Sequence, residues 1–160
     1  MFTTQLRSAL PQRLVTLLIA ALFGLTLALN PVSAPNANAA VPAIVGLRAV
    51  NVAAAQVGVP YRYGGASPRT GFDCSGLSQY SYGRVGKRLP RTAQQQYAAT
   101  IHIPWGSKRM GDLVFFYSGR TITHVGVYAG NWYMYAAPHA GTRVKKQRIY
   151  STHVAFGRVR

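Results

Sequence analysis

Apolar and polar residues follow a helical period in the segment that begins at residue 46. Gly46–Val57 is rich in alanine and carries apolar residues at helical spacing, namely Leu47, Val50, Ala54 and Val57. This spacing predicts a short helix whose apolar stripe faces a core. The helix should end before Gly58, since glycine and the proline that follows it interrupt regular helices. Pro60–Asp73 is polar and broken by further glycine and proline residues, so it is predicted to be a loop.

Two further helices are predicted from the residues at their N-termini. Asp73 precedes Cys74–Tyr82, and aspartate is a favoured N-cap residue. The second helix is therefore expected to begin at Cys74 or next to it. Further along the chain, Thr92 and Gln95 have the spacing of a capping box, which predicts a third helix.

The apolar pattern changes to that of strands after Trp105. Short strand-forming runs occupy residues 111–119, 123–130, 132–137 and 142–147, and turn residues separate them. Tight connections favour antiparallel neighbours, so these runs predict an antiparallel meander. With the helices packed on one face of that sheet, the predicted fold class is α+β.

Residues 1–39 have the pattern of a secretory signal peptide. Arg7 and Arg13 precede the uncharged apolar run Leu14–Leu29, and small residues follow as far as Ala39. We therefore expect export and cleavage after Ala39, which leaves residues 40–160 as a single domain. The alternative is an uncleaved membrane anchor. The apolar run has 16 residues, whereas a membrane-spanning helix needs about 20.

Acidic residues and cysteine are scarce, and this scarcity excludes several classes of site. The chain has 18 lysines and arginines, but its only acids are Asp73 and Asp112. Glycosidase dyads and carboxylate sites for calcium or magnesium need clustered acids, so both are excluded. A single cysteine, Cys74, excludes an internal disulfide and a multi-cysteine zinc site. We expect no metal and no cofactor.

The positive charge predicts an anionic partner. The formal net charge is +16, and it falls to +14 when the two arginines of the leader are removed. An exported protein meets the phosphate and carboxylate polymers of a bacterial cell envelope, which attract a cationic surface. Nucleic acid is an alternative partner, but the basic residues are scattered and no nucleic-acid-binding motif accompanies them. Membrane contact is expected only through an uncleaved leader.

Cys74 is the candidate nucleophile and His124 the candidate base. At a helix start, unpaired N–H groups and the helix dipole favour a thiolate, so a lowered pKa is expected for Cys74. The alternative is a buried cysteine that acts as a small apolar residue. His124 lies in the predicted strand 123–130, where alternation would let its imidazole face the packed helix. The other histidines lie in segments without such an arrangement: His102, His139 and His153.

Five segments occur in a characteristic order and spacing. They are GVPYRYGG at 58–65, FDCSGL at 72–77, LPRTAQQQY at 89–97, GDLVFF at 111–116 and HVGVYAG at 124–130. Together they resemble the NlpC/P60 family, the cysteine peptidases of bacterial cell-wall peptidoglycan. The resemblance extends from about Val52 to Val144. It implies a papain-like fold, with N-terminal helices packed on a central antiparallel sheet.

The resemblance implies roles for the matching residues. Cys74 looks like the family nucleophile and His124 like its general base, which together attack an amide carbonyl and form a thioester that water hydrolyses. Tyr61 matches a tyrosine beside the cysteine that supports the developing oxyanion. Basic side chains at the groove would pair with carboxylates of the substrate. The residues expected at the substrate groove are Ser75, Arg62, Arg69, Lys108 and Arg109.

One position departs from the family pattern. In the family a polar residue, commonly His and otherwise Asn, Gln or Glu, follows the base by twelve residues and orients its imidazole. Here that position is Ala136, whose side chain forms no hydrogen bond, so no catalytic role is expected for it. His139 is one substitute, but water or a backbone carbonyl is the favoured one.

The resemblance thus implies a secreted, monomeric peptidoglycan hydrolase. It would cut a peptide bond of the stem peptide, the one from D-Glu to the diamino acid. From the positive charge we expect the protein to adhere to anionic wall polymers. A catalytically weak or inactive cationic wall-binding module is the alternative, given Ala136. A related amidase or acyltransferase is a further alternative. The order of the motifs predicts that a thioester forms, but it indicates less well which group then accepts the acyl chain.

Overall fold

The computed structural model describes the backbone of residues 37–160 and the side chains from residue 43 onward. These residues belong to one compact unit. The predicted leader lies outside the described residues except for its last three, so its cleavage and the export that depends on it stay predictions. Within residues 37–160, no helix combines the length and the apolar character required to cross a bilayer.

The first helix, α1 (Ala37–Ala54), differs from the prediction at both ends. It begins at Ala37 rather than at Gly46, and it ends at Ala54 rather than at Val57. Its buried face also differs, because Leu47 and Val57 are 45% and 52% exposed. The buried residues of α1 are small ones and a valine: Gly46, Ala49, Val50 and Ala53.

The buried residues of α1 are mostly small because the helix approaches another backbone segment closely. A Cβ added to Gly111 would overlap the backbone of Gly46, and one added to Gly46 would lie 3.0 Å from the carbonyl oxygen of Met110. Gly111 also has a φ of 96°, a conformation that favours glycine. The bulkier Leu47 could not occupy this contact, so it faces outward.

The other two helices form as predicted from their caps. Helix α2 (Cys74–Gly83) begins after the N-cap Asp73, whose carboxylate accepts the Gly76 N–H at 2.7 Å. Helix α3 (Ala93–Ala99) begins after Thr92 and has the predicted capping box with Gln95. Both predicted starts are confirmed. The helices begin at these residues because side-chain oxygens accept hydrogen bonds from N–H groups that the helix itself leaves unpaired.

A six-stranded antiparallel sheet forms the back of the domain. Two-residue strands β1 (Ala66–Ser67) and β2 (Gly71–Phe72) pair separately, inside the segment predicted as loop. The large sheet contains β3 (Ile101–Ile103), β4 (Leu113–Ser118), β5 (Thr121–Gly130), β6 (Tyr133–Ala136), β7 (Lys145–Arg148) and β8 (Val154–Arg158). Its order is β3-β8-β4-β5-β6-β7, which confirms the meander from β4 to β7. Strands β3 and β8 were not predicted, although the buried residues Val154 and Phe156 flank the half-buried Ala155 in β8.

The helices cover one face of this sheet, as predicted. Leu113, Phe115, Val125 and Val127 share a buried cluster with residues of α1 and α2. The opposite face carries a second cluster, formed by residues of the strands alone: Val114, Phe116, Tyr128, Met134, Ala136, Val154 and Phe156. The fold is therefore α+β. Helices bury one face of the sheet, and on the other face the strand residues pack against one another.

Candidate active site

Cys74 lines a cleft of about 430 Å³ at the N-terminal end of α2. Tyr61 and Tyr63, from the segment before β1, lie on this cleft, and so do Ser75 and Arg91. Helix α2 places the cysteine there because Asp73 fixes the first turn of the helix. The cleft thus brings together three of the motifs that the sequence places far apart.

Asp73 and Arg91 form the polar framework beside the cysteine. The carboxylate of Asp73 accepts the Gly64 N–H at 2.9 Å and hydrogen bonds from the guanidinium of Arg91, one of them at 3.0 Å. Arg91 also donates to the Ser75 hydroxyl at 3.0 Å. Burial acts to raise the pKa of Asp73, but the hydrogen bonds and the charge of Arg91 outweigh it and lower that pKa. Ser75 is therefore held within this framework.

This carboxylate should make the fold sensitive to acid. A lowered pKa in the folded state means that the stabilisation is present above the ordinary pKa of an aspartate and is lost as the pH falls through the folded value. Arg91→Met should cost about 1–3 kcal/mol of the free energy of unfolding at pH 7 and much less at pH 2. Urea unfolding at both pH values measures this difference. Arg88→Met, which removes an exposed arginine, is the matched control, and an equal pH dependence in the two variants would contradict the assignment.

The sulfur of Cys74 lies beside the strand that carries His124. The backbone N–H of Val125, the residue after His124, interacts with the thiol, as do the N–H groups of Ser75 and Cys74 itself, and all three lower its pKa. Burial is the larger effect, and the charge of Asp73 adds to it, so the pKa of Cys74 is raised overall. The predicted lowering is wrong, because removal from water outweighs the backbone N–H groups at the helix start.

His124 lies on the face of the sheet opposite the helices. Its strand partner is Phe116, and the two rings are 5.5 Å apart between centroids. The next pair is Tyr117 with Ile122, so Thr123 is an extra residue in β5. This bulge reverses the alternation and turns Ile122 toward the helix-side core. The prediction that the imidazole of His124 faces the packed helix is therefore wrong.

The imidazole of His124 is buried and lacks a partner on one nitrogen. The residue is 8% exposed, and its Nε2 has no hydrogen-bond partner among the described residues. Burial, and then the charge of His139, lower the pKa of His124 to about 4. Ala136 is fully buried in the cluster that includes Phe116, the ring beside His124. Ala136, where the family pattern has a polar residue, has no side-chain group that could form a hydrogen bond with this imidazole.

The sequence model of the NlpC/P60 family matches residues 58–156, which is more than half of the chain. The chain belongs to the NlpC/P60 family. The match includes both Cys74 and His124, and the helix-on-sheet architecture around them agrees with that of solved NlpC/P60 domains.

Two curated relatives of this NlpC/P60 chain are named for peptidoglycan cleavage. The bifunctional muramidase/DL-endopeptidase CwlT of Bacillus subtilis is 47% identical over 109 residues, which cover 64% of this chain and 33% of CwlT. The murein DD-endopeptidase MepH of Escherichia coli is 47% identical over 102 residues, which cover 61% of this chain and 38% of MepH. The chain thus spans about a third of the length of these relatives.

Among solved structures, the chain is similar to the resuscitation promoting factor interacting protein RipA. One RipA structure has a TM-score of 0.68 and 30% identity, and the likeness covers 75% of this chain and 64% of that one. The solved RipA variants are changed at a cysteine, at a histidine and at a glutamate. The histidine and the glutamate are twelve positions apart in RipA.

Of the remaining residues predicted at the site of this NlpC/P60 domain, some line the cleft and others do not. Tyr61 lies on the cleft, and burial and then the charges of Cys74 and Asp73 raise its pKa. The basic residues predicted at the groove do not line the described cleft: Arg62, Arg69, Lys108 and Arg109. His139 lies in an exposed turn, where its Nδ1 is 2.9 Å from the carbonyl oxygen of Ala140.

Sequence reasoning missed two residues near the site. Arg91 lies within the LPRTAQQQY segment, which is the signal that could have found it. Tyr150 stacks on Phe116 at 4.6 Å between ring centroids, and nothing in its local sequence indicates this position.

Proposed function

We propose that this NlpC/P60 domain is an exported endopeptidase that cuts the D-Glu to diamino-acid bond of the peptidoglycan stem peptide. One observation carries the proposal: the thiol of Cys74 opens a helix, lines a cleft and lies beside the backbone of the strand that carries His124. The relatives CwlT and MepH, both named endopeptidases of this polymer class, support the substrate. The name DL-endopeptidase supports the chosen bond, whereas MepH is named for a DD bond.

The reaction proceeds by acyl transfer through Cys74. His124 takes the thiol proton as the sulfur attacks the amide carbonyl carbon, and the protonated imidazole then gives that proton to the leaving amine as the C–N bond breaks. Water hydrolyses the resulting thioester, which releases the new carboxylate and restores the thiol. Because burial raises the pKa of Cys74 and lowers that of His124, both groups rest in their neutral forms, so proton transfer accompanies the attack.

Developing negative charge on the carbonyl oxygen needs hydrogen-bond donors. The backbone N–H groups of Cys74 and Ser75, which already interact with the thiol, lie at the start of α2, where no intrahelical acceptor competes for them. The hydroxyl of Tyr61 belongs to the same cleft. These groups supply oxyanion stabilisation that strengthens as charge grows in the transition state.

A catalytically weak wall-binding module is the second candidate. The buried Nε2 of His124 without a partner, next to a cluster that contains Ala136, favours it. In RipA the residue twelve positions after the histidine is a glutamate, whereas here the residue twelve positions after His124 is Ala136. An imidazolium without a hydrogen-bonded partner is less stable, so the same chemistry would run more slowly.

Mass spectrometry of defined muropeptides tests the proposal. The purified chain should release fragments that end at D-Glu, with new amine termini on the diamino acid. Fragments cut at a DD bond would contradict the proposed bond but not the enzyme class. Binding to peptidoglycan without any new amine termini over long incubation would favour the binding module.

A further inference from the structure

A second cavity lies over the face of the sheet that the helices leave uncovered. Its volume is about 450 Å³, which is within the range of about 300–1,000 Å³ found for small-molecule sites. The lining residues are Trp105, Trp132, Ile149, Tyr150, Arg148, Ser151 and Thr152. The cavity therefore combines two indoles and a phenol with a guanidinium and two hydroxyl groups.

The backbone at Trp132 is held in a conformation that disfavours a bulky side chain. Asn131 and Trp132 have φ values of 49° and 64°, in the tight turn between β5 and β6. Turns of this shape favour Asn followed by Gly, so tryptophan stands where glycine would be relaxed. The carbonyl of Trp132 accepts the Ile149 N–H at 2.8 Å, which ties the turn to the cavity wall. Strained positions of this kind cluster at ligand sites.

The two indoles are also fixed in place by their neighbours. Their ring centroids are 4.9 Å apart, and the ammonium of Lys108 lies 5.3 Å from Trp105 and 4.9 Å from Trp132. The same ammonium donates to the carbonyl oxygen of Trp105 at 2.9 Å. Trp105 nevertheless stays 45% exposed. Two ordered aromatic rings are thus presented to a ligand with little rotational freedom left to lose.

Tyr150 connects this cavity to the candidate active site. It lines the cavity and stacks on Phe116, whose ring in turn contacts His124. Burial and then the charge of Cys74 raise the pKa of Tyr150. The rings of Tyr150 and Phe116 thus link the cavity to His124.

We propose that this cavity binds a pyranose ring of the glycan strand that carries the stem peptide. This inference rests on the proposed function for its choice of substrate. The C–H groups on the face of a pyranose pack on indole rings, while hydroxyl and acetamido oxygens accept hydrogen bonds from the edge of a site. Arg148 takes part in neither ion pair of the described residues, so its guanidinium is available as such a donor.

Tryptophan fluorescence gives a direct measurement of binding at this cavity. The chain has two tryptophans and both line the cavity, so their emission reports on it alone. The Cys74→Ala variant, which avoids turnover, is titrated with peptide-free peptidoglycan glycan strands and, separately, with free stem peptide. Glycan should produce a saturable change in emission, and free stem peptide should produce none.

Variants made in the Cys74→Ala background locate the response. Trp105→Ala and Trp132→Gly should each weaken glycan binding about tenfold or more in calorimetric titrations. Trp132→Gly also relaxes the turn, so it should keep or raise the melting temperature, unlike the loss of a merely structural tryptophan. Tyr133→Ala, which removes an exposed aromatic from the same hairpin, is the matched control and should bind normally.

Three outcomes separate this inference from the proposed function. Cleavage of stem peptide by the unmodified chain without any fluorescence response to glycan would overturn the glycan site alone. A saturable response of the Cys74→Ala variant, together with weaker calorimetric binding of glycan by the two tryptophan variants, supports the site even if no cleavage is found and the proposed function fails. A response to free peptide, or equal glycan affinity in all variants, would also overturn the glycan site.

Discussion

Cys74→Ala should abolish the release of new amine termini from peptidoglycan while leaving the chain folded. In the proposed mechanism the thiol forms the covalent bond, and removing a nucleophile from a catalytic unit lowers kcat by about 10⁴-fold or more. Cys74→Ser should be nearly as inactive. A serine hydroxyl depends far more on its base, and an imidazole whose pKa is about 4 is a weak base. Hydrolysis of muropeptides followed by chromatography measures both rates.

His124→Ala should give a loss of similar order, because His124 is the group proposed to take the thiol proton. His153→Ala is the matched control, since His153 is exposed and contacts Tyr117 rather than the site. Melting temperatures close to that of the unmodified chain would show that each variant is folded. Substantial hydrolysis by folded Cys74→Ala would rule out the thioester mechanism.

Ala136→Glu should raise the activity of this chain by about 10- to 100-fold at neutral pH, the size of effect expected for a residue that orients a functional histidine. A carboxylate near the unpartnered Nε2 of His124 would stabilise the imidazolium that forms during attack. It would also raise the pKa of His124 above its value of about 4. Because the base must be neutral to accept a proton, the acid limb of kcat/KM should move to higher pH in this variant.

Two companion variants keep this expectation testable if the larger side chain disturbs packing. Ala136→Asn adds a smaller hydrogen-bonding group at the same position and should give a weaker gain without a charge. Ala137→Asn is the matched control: Ala137 is equally buried but belongs to a cluster with Phe72 and Leu77, away from His124. If all three variants lose stability without any gain in rate, then Ala136 is not the position that orients His124.

Local signals in the chain predicted the elements that present the nucleophile. The caps at Asp73 and Thr92 depend on contacts within three residues, so the starts of α2 and α3 could be read directly. The meander from β4 to β7 depends on tight turns, which are also local. Strand β8 pairs with β4 across many intervening residues, and the packing of α1 depends on a close contact with Gly111. Neither of these is specified by nearby residues.

The sequence by itself predicted the candidate nucleophile and base, a single cysteine at a helix start and a histidine on a strand, and it showed an alanine where the family pattern has a polar residue. Only the tertiary structure decided the direction of the pKa shifts of Cys74 and His124, because the burial of these residues arises from segments that are distant in the chain. The pairing of Arg91 with Asp73 and the meeting of Trp105 with Trp132 have the same origin. Caps and turns act over a few residues, whereas desolvation and charge interactions depend on separations in space.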